Sequence, residues 1–231
     1  NSTDGVNWNQ VTNNAEFSSR NDHQVVVWNN DLWLVGGRDS SGKVLNDVWT
    51  SKNGLNWARV NISGEFTPQA NARLVVWNNA LWVIGGESSQ VWTSHDGSTW
   101  SVHNGSAELV RSNPEVVVLN GALWVLGGSK DGTPTNDILK SSDGGVTWEK
   151  ITTKNVFQGR DDFQASITSD GLWVLGGHLG NGKLANDVWF SKDGINWTET
   201  TGNASFQARA HHQLVNMNNN LMLIGGTNKD S

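Results

Sequence analysis

One repeated pair of glycines limits what this chain can fold into. Gly-Gly occurs at 36–37, 85–86, 127–128, 176–177 and 225–226, in steps of 49, 42, 49 and 49 residues. A second marker, Gly-x-x-Trp, ends at Trp8, Trp57, Trp100, Trp148 and Trp197, in steps of 49, 43, 48 and 49. Two markers with one period mean five copies of a unit of about 49 residues. Within a unit the pattern is that of short strands. In the first, Gln24–Trp28 alternates into a turn at Asn29 and Asn30, and a second apolar run covers 32–36. The matching turns are Asn78 and Asn79, Asn120 and Gly121, Asp170 and Gly171, and Asn218 and Asn219. These residue types tolerate the positive φ of tight hairpins. A third strand over 47–51 and a turn over 52–54 lead to a fourth strand near Trp57. No window of 11 or more residues has a helical period.

Four antiparallel strands every 40–50 residues define a β-propeller blade. The expected fold is therefore an all-β propeller, five units of four strands, in a single domain over residues 1–231. A lone blade cannot bury both of its faces, so the 14 tryptophans are expected to pack between blades. Short, stereotyped a–b and c–d turns fall on one end of the strands. The longer b–c loops and the d-to-a crossovers fall on the other, which is where binding is expected.

Composition narrows the function. The chain carries 16 basic and 22 acidic side chains, a net charge of −6, which disfavours a phosphate backbone as partner. No apolar run approaches the length of a membrane-spanning helix. Cysteine is absent, which removes disulfides, thiol catalysis and cysteine-bound zinc. No P-loop, dinucleotide fingerprint or Gly-x-Ser-x-Gly occurs, and no cofactor is expected.

The Gly-Gly of strand b, an arginine before strand a (Arg20, Arg111, Arg160, Arg209) and Asn-Asp-Val-Trp in strand c resemble the kelch-repeat propellers over essentially the whole chain. The c–d turn resembles the Asp-box of sialidase-type propellers. Ser141 to Trp148 fits its Ser-x-Asp-x-Gly-x-Thr-Trp pattern fully, and two other copies are one residue shorter. The Asp-box resemblance implies that Asp4, Asn53, Asp96, Asp143 and Asp193 are structural turn residues. The kelch resemblance implies that the loop face binds a partner. Both families contain enzymes. Galactose-oxidase-like copper chemistry needs a tyrosine ligand crosslinked to a cysteine, and sialidases use a tyrosine nucleophile. This chain has neither residue. A carboxylate-pair glycosidase stays open, but Glu87, Glu108, Glu115 and Asp161 form no motif and read as solvated loop charge. The histidines are 23, 95, 103, 178, 211 and 212. Adjacent side chains on an extended chain point to opposite faces, so His211 and His212 make a poor chelate, and no metal is expected.

The reading is a non-enzymatic binding module, for a protein partner or in surface adhesion. A lectin-like glycan binder is the alternative, and a glycosidase comes third. The expected ligand set is Asp22, His23, Asn71, Asn113, Asp162, His211 and His212 from the crossovers, with the four arginines as second choice. A structural role competes for the arginines: Arg20 with Asp47, Arg111 with Asp137 and Arg160 with Asp187 recur together, while the second unit has Gln69 and Gln90 instead. The loops at 38–46, 129–136 and 178–186 are long, and the short one at 87–90 is expected to notch the rim. Five Asn-x-Ser/Thr sequons, at Asn1, Asn61, Asn104, Asn196 and Asn203, are about the number chance supplies. The Asn-rich, cysteine-free composition leans extracellular or cell-surface. The chain begins at Asn1 rather than Met and reads as a processed or excised piece. In the frame of the repeat, most of one strand c is missing between its ends. That leaves two expectations, an excerpt of a larger propeller or a ring whose last blade joins C-terminal strands a and b to an N-terminal strand d.

Overall fold

The computed structural model describes residues 1–62, 66–67, 69–86, 88–153, 155–180 and 182–228. Glu87 and Ser231 lie outside the described residues. Four sheets share one plan, each antiparallel with its strands in the order a, b, c, d. Unit one comprises Gln24–Trp28, Asp31–Val35, Val48–Ser51 and Ala58–Val60. Unit two comprises Ala72–Trp77, Ala80–Gly85, Gln90–Ser94 and Ser101–Asn104. Glu115–Leu119, Ala122–Leu126, Ile138–Ser141 and Glu149–Lys150 form unit three. Gln164–Ile167, Leu172–Leu175, Val188–Ser191 and Trp197–Thr201 form unit four. Unit five pairs Gln213–Met217 with Asn220–Ile224. Among the described residues the one helical segment is a 3-10 turn, Ala107–Leu109. The molecule is a β-propeller.

Side-chain alternation explains why the sheets stack. Along strand b of unit two, Leu81 and Val83 join a core shared with unit one, with Trp28, Trp33 and Val48. Ala80, Trp82 and Ile84 join a second core shared with Val116, Leu123 and Leu139 of unit three. A third core joins units three and four through Trp124, Leu126, Phe163 and Val174. Both faces of strand b are thus buried in units two and three, which is why it reads there as a continuous apolar run. Eight tryptophans belong to the buried core, but Trp8 departs from the expected packing role and is 58% exposed.

The c–d turns join neighbours. A Cβ at Gly97 of unit two would sit 2.1 Å from the Trp33 ring of unit one, and one at Gly194 of unit four 2.7 Å from Trp124 of unit three. Only glycine allows the indole so close. Gly5 meets Met222 of unit five in the same way. The N-terminal turn therefore lies against unit five as a neighbouring unit's turn does. Each turn is also closed internally. In unit four, Gly194 N–H donates to Ser191 Oγ (2.8 Å), Ile195 and Asn196 N–H donate to Asp193 Oδ1 (2.9 and 2.8 Å), and Trp197 Nε1 donates to the Gly194 carbonyl (3.2 Å). Partial burial is the largest single influence on the Asp193 carboxyl and raises it, but the bonds from Asn196, Ile195 and Ser191 together outweigh it and hold the carboxyl at about 2.

Candidate functional site

The crossovers bring one residue per unit to a common place. Asp22, Asn71, Asn113, Asp162 and His211 lie two positions before the same point in strand a. All five hold a left-handed backbone, with φ of 55°, 57°, 50°, 50° and 55°. Asp, Asn and His are the non-glycine residues most enriched in that conformation. Successive members are linked through the backbone: Asn113 N–H donates to the Asn71 carbonyl (3.3 Å), and His211 N–H to the Asp162 carbonyl (3.0 Å). The inner strands a pack side by side, and residues of all five units enclose a cavity of about 560 Å³. Each of the seven residues expected from the crossovers borders it.

A second tier opens strand a: Gln24, Arg73, Glu115, Gln164 and Gln213, again one per unit. Arg73 donates to Glu115 Oε1 through Nη2 (2.7 Å) and Nε (3.1 Å), and Gln164 Nε2 reaches the same oxygen at 2.9 Å. Glu115 is only 5% exposed. Burial raises its carboxyl above the usual range, and Arg73 opposes that rise. The reading of Glu115 as solvated loop charge is therefore corrected, because it begins an inner strand and faces neighbouring units rather than water. Glu108 does stand exposed, paired with Lys130. Asp161 is raised by burial and by the adjacent Asp162.

The arginines have a different job. Arg20, Arg111, Arg160 and Arg209 each donate from Nη1 to the carbonyl of the first glycine in their unit's pair, at 2.9, 2.9, 2.9 and 2.7 Å. Arg111 and Arg160 are fully buried, and none of the four borders the cavity. Their assignment as second-choice ligand residues gives way to this structural role. Two of the three anticipated carboxylate partners are in place as bidentate pairs. Arg20 meets Asp47 at 2.6 and 2.9 Å, and Arg160 meets Asp187 at 2.7 and 2.7 Å. Burial opposes ionisation of Asp47 and Asp187, but these arginines hold both carboxyls below the ordinary value. The third expectation is corrected. Arg111 turns to the Glu108 carbonyl, offered by the 3-10 turn, while Asp137 binds Lys150 (2.8 Å) and Lys130 (3.3 Å).

His23 and His212 sit one residue beyond the axial tier. His212 forms part of the cavity wall, yet it is 0% exposed and lies against Gly176 and Gly226. Phe163 occupies the equivalent place in unit four, against Gly127 and Gly177. Burial first, then Arg209 and His211, lower the His212 imidazole to about 4. The Leu175 backbone lies near enough to oppose this, although neither ring nitrogen makes a hydrogen bond of normal geometry. His23 is likewise lowered by burial and by Arg20.

His178, which the sequence did not single out, lies against the axial tier from the b–c loop without bordering the cavity. Its Nδ1 lies 3.4 Å from Asp162 Oδ2, while His211 Nδ1 lies 3.2 Å from Asp162 Oδ1. The second tier was also unrecognised. Its signal was present: a polar residue stands two positions after the axial residue in every unit, at Gln24, Arg73, Glu115, Gln164 and Gln213.

Residues 2–111 match the family described as the DUF6242 beta propeller domain. No curated protein matches the chain in sequence. Among solved structures, the chain is similar to the one titled "Structure of YjhT". The identity is 19% and the TM-score 0.75, over 90% of this chain and 77% of that one. At that identity the likeness concerns the fold alone.

Proposed function

We propose that the protein is a non-enzymatic binding module whose ligand enters the axial cavity. The observation that carries this reading is the pair of polar tiers, one residue per unit, around a space of about 560 Å³. That volume suits a small ligand or an inserted group rather than a flat protein surface. Asp22, Asn71, Asn113, Gln24 and Gln213 offer amide and carboxylate groups, which suit hydroxyls and amides. A glycan, or a polar peptide loop reaching into the cavity, is the proposed partner class. The net charge of −6 argues against nucleic acid. We also read the repeat as kelch-like with Asp-box-like turns. The arginine-to-glycine carbonyl bond and the Ser–Asp turn geometry support that reading.

The test is an array of glycans and peptides probed with the purified protein and two variants. Asn71→Gly with Asn113→Gly removes two cavity amides while keeping the left-handed backbone. Asn29→Gly with Asn78→Gly alters the opposite end of the strands. Binding should be lost in the first variant and kept in the second. Loss only in the second would place the site on the turn face, and turnover of a glycoside by the wild type would replace the binding reading with catalysis.

A further inference from the structure

One junction between units differs from the others in its donor chemistry. Three positions correspond at each junction by the register of the repeat: the axial residue, the residue after Gly-Gly, and the next unit's axial residue. Between units one and two these are Asp22, Arg38 and Asn71, and between units three and four they are Asn113, Ser129 and Asp162. Between units four and five they are Asp162, His178 and His211. The equivalence is structural as well as sequential, since Arg38 pairs with Asn21 as His178 pairs with Asp161. Only this last set gathers three metal-ligating side chains, among the junctions named.

We propose that Asp162, His178 and His211 form a binding site for a single divalent transition-metal ion, zinc by preference. The geometry is that of a converging donor set. The two imidazoles turn their Nδ1 atoms toward separate oxygens of one carboxylate, at 3.4 and 3.2 Å. One donor atom from each residue lies within 4.8 Å of the others. Zinc bonds of about 2.0–2.1 Å at tetrahedral angles place neighbouring donors about 3.3 Å apart. The two imidazole–carboxylate separations are of that size but end on different oxygens, so side-chain rotation within the 4.8 Å cluster would bring a single oxygen and both nitrogens around one ion. The two rings lie edge to face with centroids 5.6 Å apart, so they approach one point from different directions.

The backbone holds the set from both sides. His178 is registered opposite Asp161 in a short antiparallel pairing, and His211 N–H is bonded to the Asp162 carbonyl. Asp161 Oδ1 lies 3.7 Å from His178 Nδ1, beyond hydrogen-bond distance but near enough to add negative charge beside a bound cation. Two nitrogen donors with one carboxylate favour zinc or a neighbouring transition ion over calcium or magnesium, which take oxygen ligands. Asp162 and His211 also border the axial cavity, so an ion held there would have its remaining positions open toward that space. The site does not depend on the identity of any cavity ligand.

The test uses the whole protein, stripped with a chelator and titrated with Zn²⁺ alone by calorimetry, then with Co²⁺ by visible absorption. The expected result is one saturable Zn²⁺ equivalent and a tetrahedral Co²⁺ spectrum. His178→Gln and His211→Asn should each weaken Zn²⁺ binding at least about 10-fold, the scale on which even orienting residues act. Asparagine at 211 keeps a residue that tolerates the left-handed backbone. His95→Gln, away from the site, should bind as the wild type does. Melting temperatures measured in chelator establish that each variant is folded. Absence of saturable binding, or binding unchanged by both His178→Gln and His211→Asn, would show that the cluster is a histidine–carboxylate contact and overturn the proposal.

Discussion

At Asp193 a carboxylate in a tight turn accepts hydrogen bonds from Ser191 Oγ, two backbone N–H groups and the Asn196 amide, all within its own segment. At Asp162 another carboxylate beside a tight bend instead faces two imidazoles from elsewhere in the chain. The two ends of the strands use the same small polar residues in opposite ways. At the c–d turns, acceptors are used up locally, in closing a hairpin against the neighbouring unit's tryptophan. At the crossovers, the left-handed residues are tied through their backbones, and their side chains are left for the cavity. A carboxylate satisfied by its own turn has little left for a ligand. Repetition alone therefore does not mark function, and the difference lies in where each side chain's bonds go.

The largest expected effect tests whether the cavity wall holds a true buried ion pair. Arg73→Met leaves Glu115 without its cation and should cost about 3–5 kcal/mol by denaturant unfolding. Adding Glu115→Gln should restore much of that loss. A cost below about 1 kcal/mol for Arg73→Met would mean that Glu115 is adequately held by Gln164 alone.

The turn carboxylates should respond to acid in a defined way. The Asp193 carboxyl is about 2 in the folded state against 3.8 ordinarily. A depressed folded value gives stability that is present above 3.8 and lost as pH falls toward 2. Asp193→Asn, which copies Asn53 of unit one, should keep the turn and remove this unit's share of the acid sensitivity. Asp193→Ala should cost about 1 kcal/mol at neutral pH by freeing two backbone donors that water partly satisfies. Denaturation curves at pH 7 and pH 3 separate the two variants.

His212 sharpens the comparison from the interior. Its two ring nitrogens are buried without partners, and its counterpart is Phe163, so His212→Phe should raise stability by about 1 kcal/mol. The measurement belongs in chelator, so that His211 next door contributes no metal effect. Smallest of all is Asn113→Gly. Glycine accepts φ near 50° without strain, so unfolding should shift by less than about 0.5 kcal/mol, whereas Asn113→Ala at the same place should cost more.

The repeat made much of this fold readable before any coordinates. The hairpin turns at Asn29 and Asn78, the Ser–Asp turns and the apolar strands are local features, fixed by backbone chemistry within a few residues. The axial set was readable too, because Asp22, Asn71, Asn113, Asp162 and His211 share one register. Other residues were harder to place. Glu115 looked like one acid among several, since its partner Arg73 lies 42 residues away and only stacking brings them together. Arg111 followed its repeat in sequence and departed from it in space, because Glu108 and Lys130 compete locally for the charges involved.

By itself the sequence determined the period, the strands, the hairpin chemistry and the end of each strand where variable residues gather. Those depend on alternation and on left-handed turns, which act over short stretches of chain. Only the tertiary structure decided which polar groups are already satisfied. It gave the arginines to glycine carbonyls, buried His212 in a phenylalanine's place, and drew His178 to Asp162 and His211. The physical reason is that hydrogen-bond satisfaction and burial are properties of neighbours, and in a propeller the neighbours of a residue come from the next unit, some 49 residues away.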